Sequence, residues 1–225
     1  MFETTGKELN LVTKLHSATP RNYLARMNDN KVEAMKIAKL YGADYWDGDR
    51  RYGYGGHSYM EGRWTPVASA LIDRYNLTDK SKILDIGCGK GFLLYEIQRL
   101  IPRIQLTGLD ISEYAIHNRH PELNATIIKY DARLPLKFKT NEFDLAISLA
   151  TFHNFHLYEL ETTLKEVERV AKNAYIMVES YRNELEMFNL ECWALTAECL
   201  MDVDEWKWFF NRVSYTGDFE FIFFE

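Results

Sequence analysis

The chain of 225 residues carries 27 Lys and Arg against 33 Asp and Glu, a formal charge of −6, with 47% hydrophobic and 14% aromatic residues. This is globular composition with apolar material for one sizeable core plus an elaboration, which excludes disordered, collagen-like and disulfide-scaffold classes. The acidic balance supplies no broad cationic field, which argues against nucleic acid as a partner and for a small-molecule substrate.

Three cysteines are scattered along the chain. Cys192 and Cys199 would stand about 10 Å apart on a helix, too far to bridge, so a reducing cytoplasm is expected. Met-Phe-Glu-Thr-Thr at the N-terminus has no secretory pattern, and nowhere do about 18 apolar residues run together, so no membrane span is expected. Internal repeats and Pro- or Ser-rich linkers are lacking, which points to one core with a cap.

In chain order, residues 31–41 place Val32, Met35, Ile37, Ala38 and Leu40 on a helical stripe, with Asn28 to Asn30 as start signals and Gly42 as the stop. Residues 45–64 hold five glycines, many aromatics and paired arginines without clean periodicity, and read as an ordered loop or lid. Thr65-Pro66 opens the next helix with a capping hydroxyl and a proline at its first position. From there strands and helices alternate: strand 82–86, helix 91–100, strand 104–109, helix 112–118, strand 125–129, strand 142–149, helix 157–172 and strand 174–179. Such alternation implies a mainly parallel sheet of six or seven strands with helices on both faces, an α/β fold of Rossmann-like type. Residues 183–200 have helical composition, and Asp202 or Asp204 can cap a further helix through Phe210. The closing DFEFIFFE reads as a last strand, with antiparallel pairing at an edge as the expectation. The organisation expected is therefore a cap and aromatic, Arg-rich lid over 1–64, then a core over 65–225 with a helical insertion at about 183–212.

The informative segment is Asp85-Ile86-Gly87-Cys88-Gly89-Lys90-Gly91, a strand running into three alternate glycines and then a helix. Such glycines let backbone approach a ligand closely, and the helix amides that follow favour a negative group. A dinucleotide fingerprint, G-x-G-x-x-G, needs glycine at position 92, where this chain has Phe92, and that argues against NAD or FAD. D-I-G-C-G-K-G instead resembles the first motif of class I S-adenosylmethionine-dependent methyltransferases. The resemblance continues through Leu106-Thr107-Gly108-Leu109-Asp110, Tyr130-Asp131-Ala132 with Leu134-Pro135-Leu136, Glu142 to Ser148, and Glu166 to Val170, covering about Lys82 to Glu179. It implies that Asp85, Gly87, Cys88, Gly89 and Gly91 hold the methionine and ribose portions of S-adenosyl-L-methionine. It further implies that Asp110 and Ile111 take the ribose side, that Asp131 and Ala132 meet the adenine, and that Ser148 borders the crevice. S-adenosyl-L-homocysteine would be the product. Asp144 is assigned to structure, as a strand-entering acid that satisfies nearby amides.

Methyl transfer from a sulfonium is an in-line displacement that needs alignment, a dry pocket and, for some acceptors, a base. After the fourth strand comes Thr151-Phe152-His153-Asn154-Phe155-His156, a loop at the sheet's carboxyl edge. His153 stands where many small-molecule methyltransferases of this type have Leu-His-His-like segments, and its imidazole suits a general base; His156 is read as structural. The pairs His117/His120 and His153/His156 have no third ligand at the usual spacing, so no metal is expected. Arg50, Arg51 and Arg63 can grip a carboxylate or phosphate, while Tyr52, Tyr54, His57, Tyr59 and Trp64 can stack on or shield a sugar-like substrate. Glu179, Tyr181 and Arg182 follow the fifth strand at the same edge.

The expected activity is S-adenosylmethionine-dependent methylation of a small anionic or hydroxylated metabolite, with a sugar or surface-carbohydrate precursor as one option and a homodimer left open. The alternative is a non-catalytic binding partner on the same fold, with Trp206, Trp208, Phe209 and Phe210 as an interface.

Overall fold

Lys82–Ile86 (β1), Gln105–Asp110 (β2), Thr126–Lys129 (β3), Leu145–Leu149 (β4), Ala174–Glu179 (β5) and Asp218–Ile222 (β6) pair in the order β3-β2-β1-β4-β5-β6. All five pairings are parallel. The computed structural model describes residues 2–55 and 57–225; Met1 and Gly56, which fall inside the predicted cap and lid, lie outside the described residues.

Both faces of this sheet are covered, so residues of its central strands β1, β4 and β5 are buried in runs instead of alternating with exposed ones. Successive residues still go to opposite sides. Leu84, Ile86, Ile176 and Val178 pack on one face with Leu160, Leu164 and Val167 of the helix Leu157–Val170. Ile83, Leu145, Ile147 and Met177 pack on the other with Val67, Ala68 and Leu71 of the helix Thr65–Tyr75 and Leu93, Leu94 and Ile97 of the helix Phe92–Leu100.

Four short helices precede the sheet: α1 (Thr13–Ser17), α2 (Tyr23–Asn28), α3 (Lys31–Ala38) and α4 (Ala43–Asp47), with a 3₁₀ turn at Arg50–Tyr52. Then come α5 (Thr65–Tyr75), α6 (Phe92–Leu100), α7 (Glu113–His117), α8 (Leu157–Val170), α9 (Glu184–Trp193) and α10 (Val203–Arg212). Among the described residues no helix is long and apolar enough to cross a membrane. All three cysteines are free.

Several details depart from the sequence reading. β6 runs parallel to β5, from Tyr175 opposite Asp218 to Glu179 opposite Ile222, because α9 and α10 form a crossover that carries the chain back to the starting end of the sheet. Nor is β6 a half-solvated edge: all five of its residues are buried, and its outer side bonds the N-terminal segment, with Leu9 N donating to Phe219 O (2.8 Å) and Phe219 N to Lys7 O (3.0 Å). The Thr65 hydroxyl does not cap α5; it donates to Glu96 Oε2 (2.7 Å), and Trp64 is the N-cap. Asn183 caps α9, which stops at Trp193 and leaves Ala194 to Leu200 irregular. Asp202 caps α10 as expected, with Glu205 reaching back to its amide.

The N-terminal segment is stitched to the sheet by one carboxylate. Glu220 of β6 is fully buried and accepts from the amides of Leu11 (2.7 Å), Val12 (2.9 Å) and Thr13 (2.7 Å), from the Thr13 hydroxyl (2.7 Å) and from the Tyr175 phenol (2.5 Å). The Val12 and Thr13 amides are donors that the start of α1 leaves unpaired. A charge so placed is satisfied on every side, which is what makes its burial tolerable.

Candidate active site

The chain leaves β1 through Gly87 (φ 80°) and Gly89 (φ 54°), both in the left-handed region where a side chain is strained. A Cβ on Gly87 would stand 2.0 Å from Thr151 Oγ1, and one on Gly89 2.7 Å from the Trp46 ring. Backbone alone therefore forms this lip of the crevice. Asp110, at the end of β2, fixes the loop: its Oδ2 accepts from Gly89 N and its Oδ1 from Ser112 N, both at 2.7 Å. Asp85, also buried, receives no hydrogen bond among the described residues; burial and the neighbouring Asp110 charge push its carboxyl up to about 7. A buried acid without a donor is costly unless a cation or donor arrives, and a ligand ammonium would supply it. The backbone lip, the donor-poor Asp85 and the outer Asp110 thus suit the amino-acid and ribose ends of S-adenosylmethionine.

A cavity of about 720 Å³ lies between the carboxyl edge of the sheet and the N-terminal helices. Of the predicted cofactor residues, Asp85, Gly87, Cys88, Gly89, Asp110, Ile111, Asp131 and Ala132 line it. Gly91 and Ser148 do not. Gly91 is the N-cap of α6, where a Cβ would meet Leu123 at 2.4 Å, and Ser148 spends its hydroxyl on Ile86 O (2.9 Å) across the strands. Asp131 faces the cavity while paired with Arg133, whose guanidinium holds its carboxyl below the usual range. Asp144 lies off the cavity, accepting from Lys82 N (2.9 Å) and Lys172 Nζ (2.7 Å), a structural role as read from the sequence.

Among the predicted acceptor residues, Arg50, Tyr54, His57, Arg63, Trp64, His153 and Glu179 line the same cavity. Arg51, Tyr52, Tyr59, Tyr181 and Arg182 are placed elsewhere. Arg51 pairs with Asp29 (2.8 Å), Tyr52 packs beside Ala34 and Leu195, and Tyr59 donates to Glu96 on α6. Tyr181 joins the Leu190 and Trp193 cluster, and Arg182 pairs with Glu186 and Glu225.

His153 sits in a 3₁₀ turn, Phe152–Asn154, just after β4, and its ring is 2% exposed. Its Nε2 lies 3.5 Å from Glu179 Oε2 at the end of β5, longer than a formed hydrogen bond. His153 Nδ1 and Glu179 Oε2 have no hydrogen-bond partner in their buried positions. Burial lowers the His153 pKa, against an opposing pull from Glu179, so the ring is neutral at pH 7. Beside it, Ala150 adopts φ 54° at the cavity wall, a strained conformation for a residue with a Cβ. No cluster of three or more His, Cys, Asp or Glu that could hold a metal occurs among the described residues.

The roof comes from the cap. Asp47 of α4 bridges Lys90 in the glycine loop and the Tyr114 hydroxyl (2.9 Å) on α7. Trp46 Nε1 donates to Ser112 Oγ (2.8 Å). Tyr54 Oη accepts from Leu195 N (2.7 Å) and Thr196 N (3.2 Å), which pins the lid to the segment after α9. The sequence reading missed His16, Arg21, Tyr41, Tyr45, Trp46, Trp193, Thr196 and Phe224 as lining residues. Tyr45 and Trp46 stood at the start of the aromatic stretch and could have been included. His16 and Arg21 lie in a segment without hydropathic pattern and carry no local signal.

Residues 83–174 match the family model described as a methyltransferase domain. The small-subunit ribosomal RNA methyltransferase C of Serratia proteamaculans is 30% identical over 109 residues, covering 48% of this chain and 30% of the relative. The malonyl-[acyl-carrier protein] O-methyltransferase of Acetivibrio thermocellus is 27% identical over 142 residues, covering 62% and 50% respectively. The chain thus spans half or less of the length of these relatives. Among solved structures, the plantazolicin methyltransferase BpumL in complex with SAH superposes with a TM-score of 0.56 at 19% identity, covering 84% of this chain and 78% of that one. At that identity the likeness shows a shared fold. With a parallel sheet that opens a glycine-lined crevice at its carboxyl edge and the family's sequence pattern running from β1 into β5, residues 83–174 of this chain carry a methyltransferase domain of the class I, S-adenosylmethionine-dependent type.

Proposed function

We propose that the chain methylates a small anionic or hydroxylated acceptor, with a sugar precursor as the leading option, inside the chamber between cap and sheet. The observation that carries this reading is the buried His153 and Glu179 pair: both residues line the cavity that the glycine loop also lines, and His153 Nδ1 and Glu179 Oε2 have no hydrogen-bond partner. A scaffold that only bound cofactor would have no use for two uncompensated polar atoms at that depth.

S-Adenosylmethionine, when bound, supplies an electrophilic methyl and a sulfonium charge that is lost on transfer. Asp85 with the Gly87, Cys88 and Gly89 backbone would hold the amino-acid end, Asp110 the ribose, and Ile111, Asp131 and Ala132 the adenine. Neutral His153 accepts the acceptor's O–H or N–H proton at Nδ1. Glu179, on the Nε2 side, orients the ring and stabilises the imidazolium, and their 3.5 Å separation shortens as charge develops. Arg50 and Arg63 take an anionic group, while Tyr54, His57 and Trp64 wall the acceptor. Residues 1–64 act as the lid over the 65–225 core, and their closure excludes water. Because the lid comes from the same chain, one copy suffices. A chamber of about 720 Å³ shared by cofactor and acceptor suits a small molecule better than a folded nucleic acid.

His153→Ala should lower methyl transfer by about 10² to 10⁴ while leaving S-adenosylhomocysteine affinity within a factor of about two. Labelled-methyl transfer to a metabolite extract, with calorimetry for the affinity, checks both. Equal rates in wild type and variant would remove His153 from the chemistry.

A further inference from the structure

Buried side-chain atoms without a hydrogen-bond partner are rare in folded proteins, and each calls for an explanation. Among the described residues there are five: Arg21 Nε, Arg51 Nε, His153 Nδ1, Asn154 Oδ1 and Glu179 Oε2. The last three line the chamber already described. Arg51 lines a second, more open cavity of about 380 Å³ on the outer side of the cap, and Arg21 lines both. Arg21, Arg50 and Trp193 are common to the two cavities and form the wall between them.

That wall is crowded with positive charge. The guanidinium carbons of Arg26, Arg21 and Arg50 lie 4.2, 5.5 and 5.6 Å from the centroid of the Trp193 ring. Among the described residues none of the three has a carboxylate within salt-bridge distance. Arg26 is consumed by structure, donating to the carbonyls of Trp193 (2.9 Å), Arg50 (3.2 Å) and Gly53 (2.8 Å). Arg21 Nη1 donates to His16 O and Thr19 O, both at 3.1 Å, its Nη2 meets His16 Nδ1 at 3.0 Å, and its buried Nε is left over. Arg50 makes no side-chain hydrogen bond among the described residues, and Arg51, though paired with Asp29, also keeps an unused Nε. Burial, reinforced by Arg50, lowers the pKa of both Arg21 and Arg26. Arg21, Arg26, Arg50 and Arg51 thus line a groove that, among the described residues, holds only two acids, Asp29 and Asp49, and of these acids only Asp29 is paired with one of them, which leaves an excess of positive charge around the Trp193 indole.

We propose that the acceptor carries a phosphate or diphosphate group, which Arg21, Arg50 and Arg51 hold in the outer groove beside Trp193 while the reacting end passes into the chamber. A carboxylate offers one charge and a planar fork, whereas a phosphate offers close to two charges and oxygens in several directions, which suits a groove where several guanidiniums outnumber the acids. The assignment rests on the methyl-transfer reading for the identity of the acceptor, but the anion site itself is testable without it.

Inorganic diphosphate is titrated by calorimetry into the full chain saturated with S-adenosylhomocysteine, with citrate as the carboxylate control. Wild type should bind diphosphate, more weakly as salt rises; Arg50→Gln should bind at least about tenfold more weakly and Arg50→Lys should retain part of the affinity, with S-adenosylhomocysteine binding the same in all three. Diphosphate failing to bind while S-adenosylhomocysteine binds normally overturns the site, and an equal response to citrate overturns its assignment to phosphate. A second arm separates a phosphate on the acceptor from free phosphate: labelled-methyl transfer to a metabolite extract is compared before and after the extract is treated with a phosphatase that is then removed. Loss of the labelled product supports a phosphorylated acceptor, and unchanged transfer overturns it. Absence of S-adenosylhomocysteine binding would bring down the methyltransferase reading itself, and this one with it.

Discussion

The glycine loop and the cap meet at the same cavity but are built by opposite means. The loop is a local object: Gly87 and Gly89 take their left-handed conformations a few residues from β1, and the acid that ties them, Asp110, ends the neighbouring strand. The cap is assembled from helices of five to eight residues, too short to hold themselves in water, and each is fixed by a polar contact to a distant part of the chain. Glu220 holds the start of α1, Asp47 reaches Lys90 and Tyr114, and Tyr54 receives the amides after α9. A site of this kind has a floor set by backbone sterics and a roof set by individual hydrogen bonds, so the two should fail differently under mutation.

The largest effect is expected at the anchor of the roof. Glu220→Ala strands three amides, a hydroxyl and a phenol, and should cost about 3–5 kcal/mol in urea unfolding. Glu220→Gln, which keeps some acceptance, should cost less. If either variant unfolds like wild type, the cap does not depend on that carboxylate. On the floor, Gly87→Ala should weaken S-adenosylhomocysteine by about 2–3 kcal/mol, through the left-handed backbone and the Thr151 contact, with the cap contacts untouched. Adding Thr151→Ala should restore part of that loss, since the hydroxyl at 2.0 Å is gone while the Thr151 Cβ at 2.8 Å stays; no restoration would assign the loss to backbone strain and that remaining contact.

Next comes pH. The folded Asp85 carboxyl is raised to about 7 from an ordinary 3.8, so between about pH 4 and 7 the native state keeps a proton that the unfolded chain has released. This group therefore favours the fold most below about pH 4, and its contribution declines as pH rises to about 7. Cofactor binding runs the other way, because only ionised Asp85 pairs with an ammonium. The thermal shift given by S-adenosylhomocysteine should grow from about pH 5.5 to 7.5 and then level off, and Asp85→Asn should flatten the profile. A flat wild-type profile would detach Asp85 from the ligand. The smallest effect is expected at the lid, where Tyr54→Phe leaves the Leu195 and Thr196 amides without their acceptor. It should cost about 1–2 kcal/mol in stability, read by thermal melting, and should leave S-adenosylhomocysteine affinity unchanged.

The same contrast explains what could be read from the sequence. β1 and β5 match their predicted bounds because apolar strand runs are written in consecutive residues, and Asp85, Asp110 and Asp131, which the family resemblance grouped with the glycine loop, line one cavity. β6 misled because Glu220 in an alternating Phe pattern looks like a solvated face, whereas its carboxylate is buried against amides more than 200 residues away. Thr65 misled in the same way, its hydroxyl serving Glu96 on another helix. His16 and Arg21 reach the chamber only because the N-terminal segment folds back along β6 against the chain's last residues, where His16 Nε2 meets Phe223 O at 2.8 Å. No window of local sequence contains that contact.

The span of the Glu220 anchor has a consequence for biosynthesis. Its acceptor lies 207 to 209 residues from the amides of Thr13, Val12 and Leu11, so the part of this chain translated first waits for the sixth strand before it can dock. A nascent polypeptide that has emerged only as far as β5 already has the strands that carry the glycine loop, Asp85 and Asp110, but no anchored cap above them. Roofing the cavity is thereby made one of the final events of folding, and a chain stalled before β6 leaves the glycine loop uncovered.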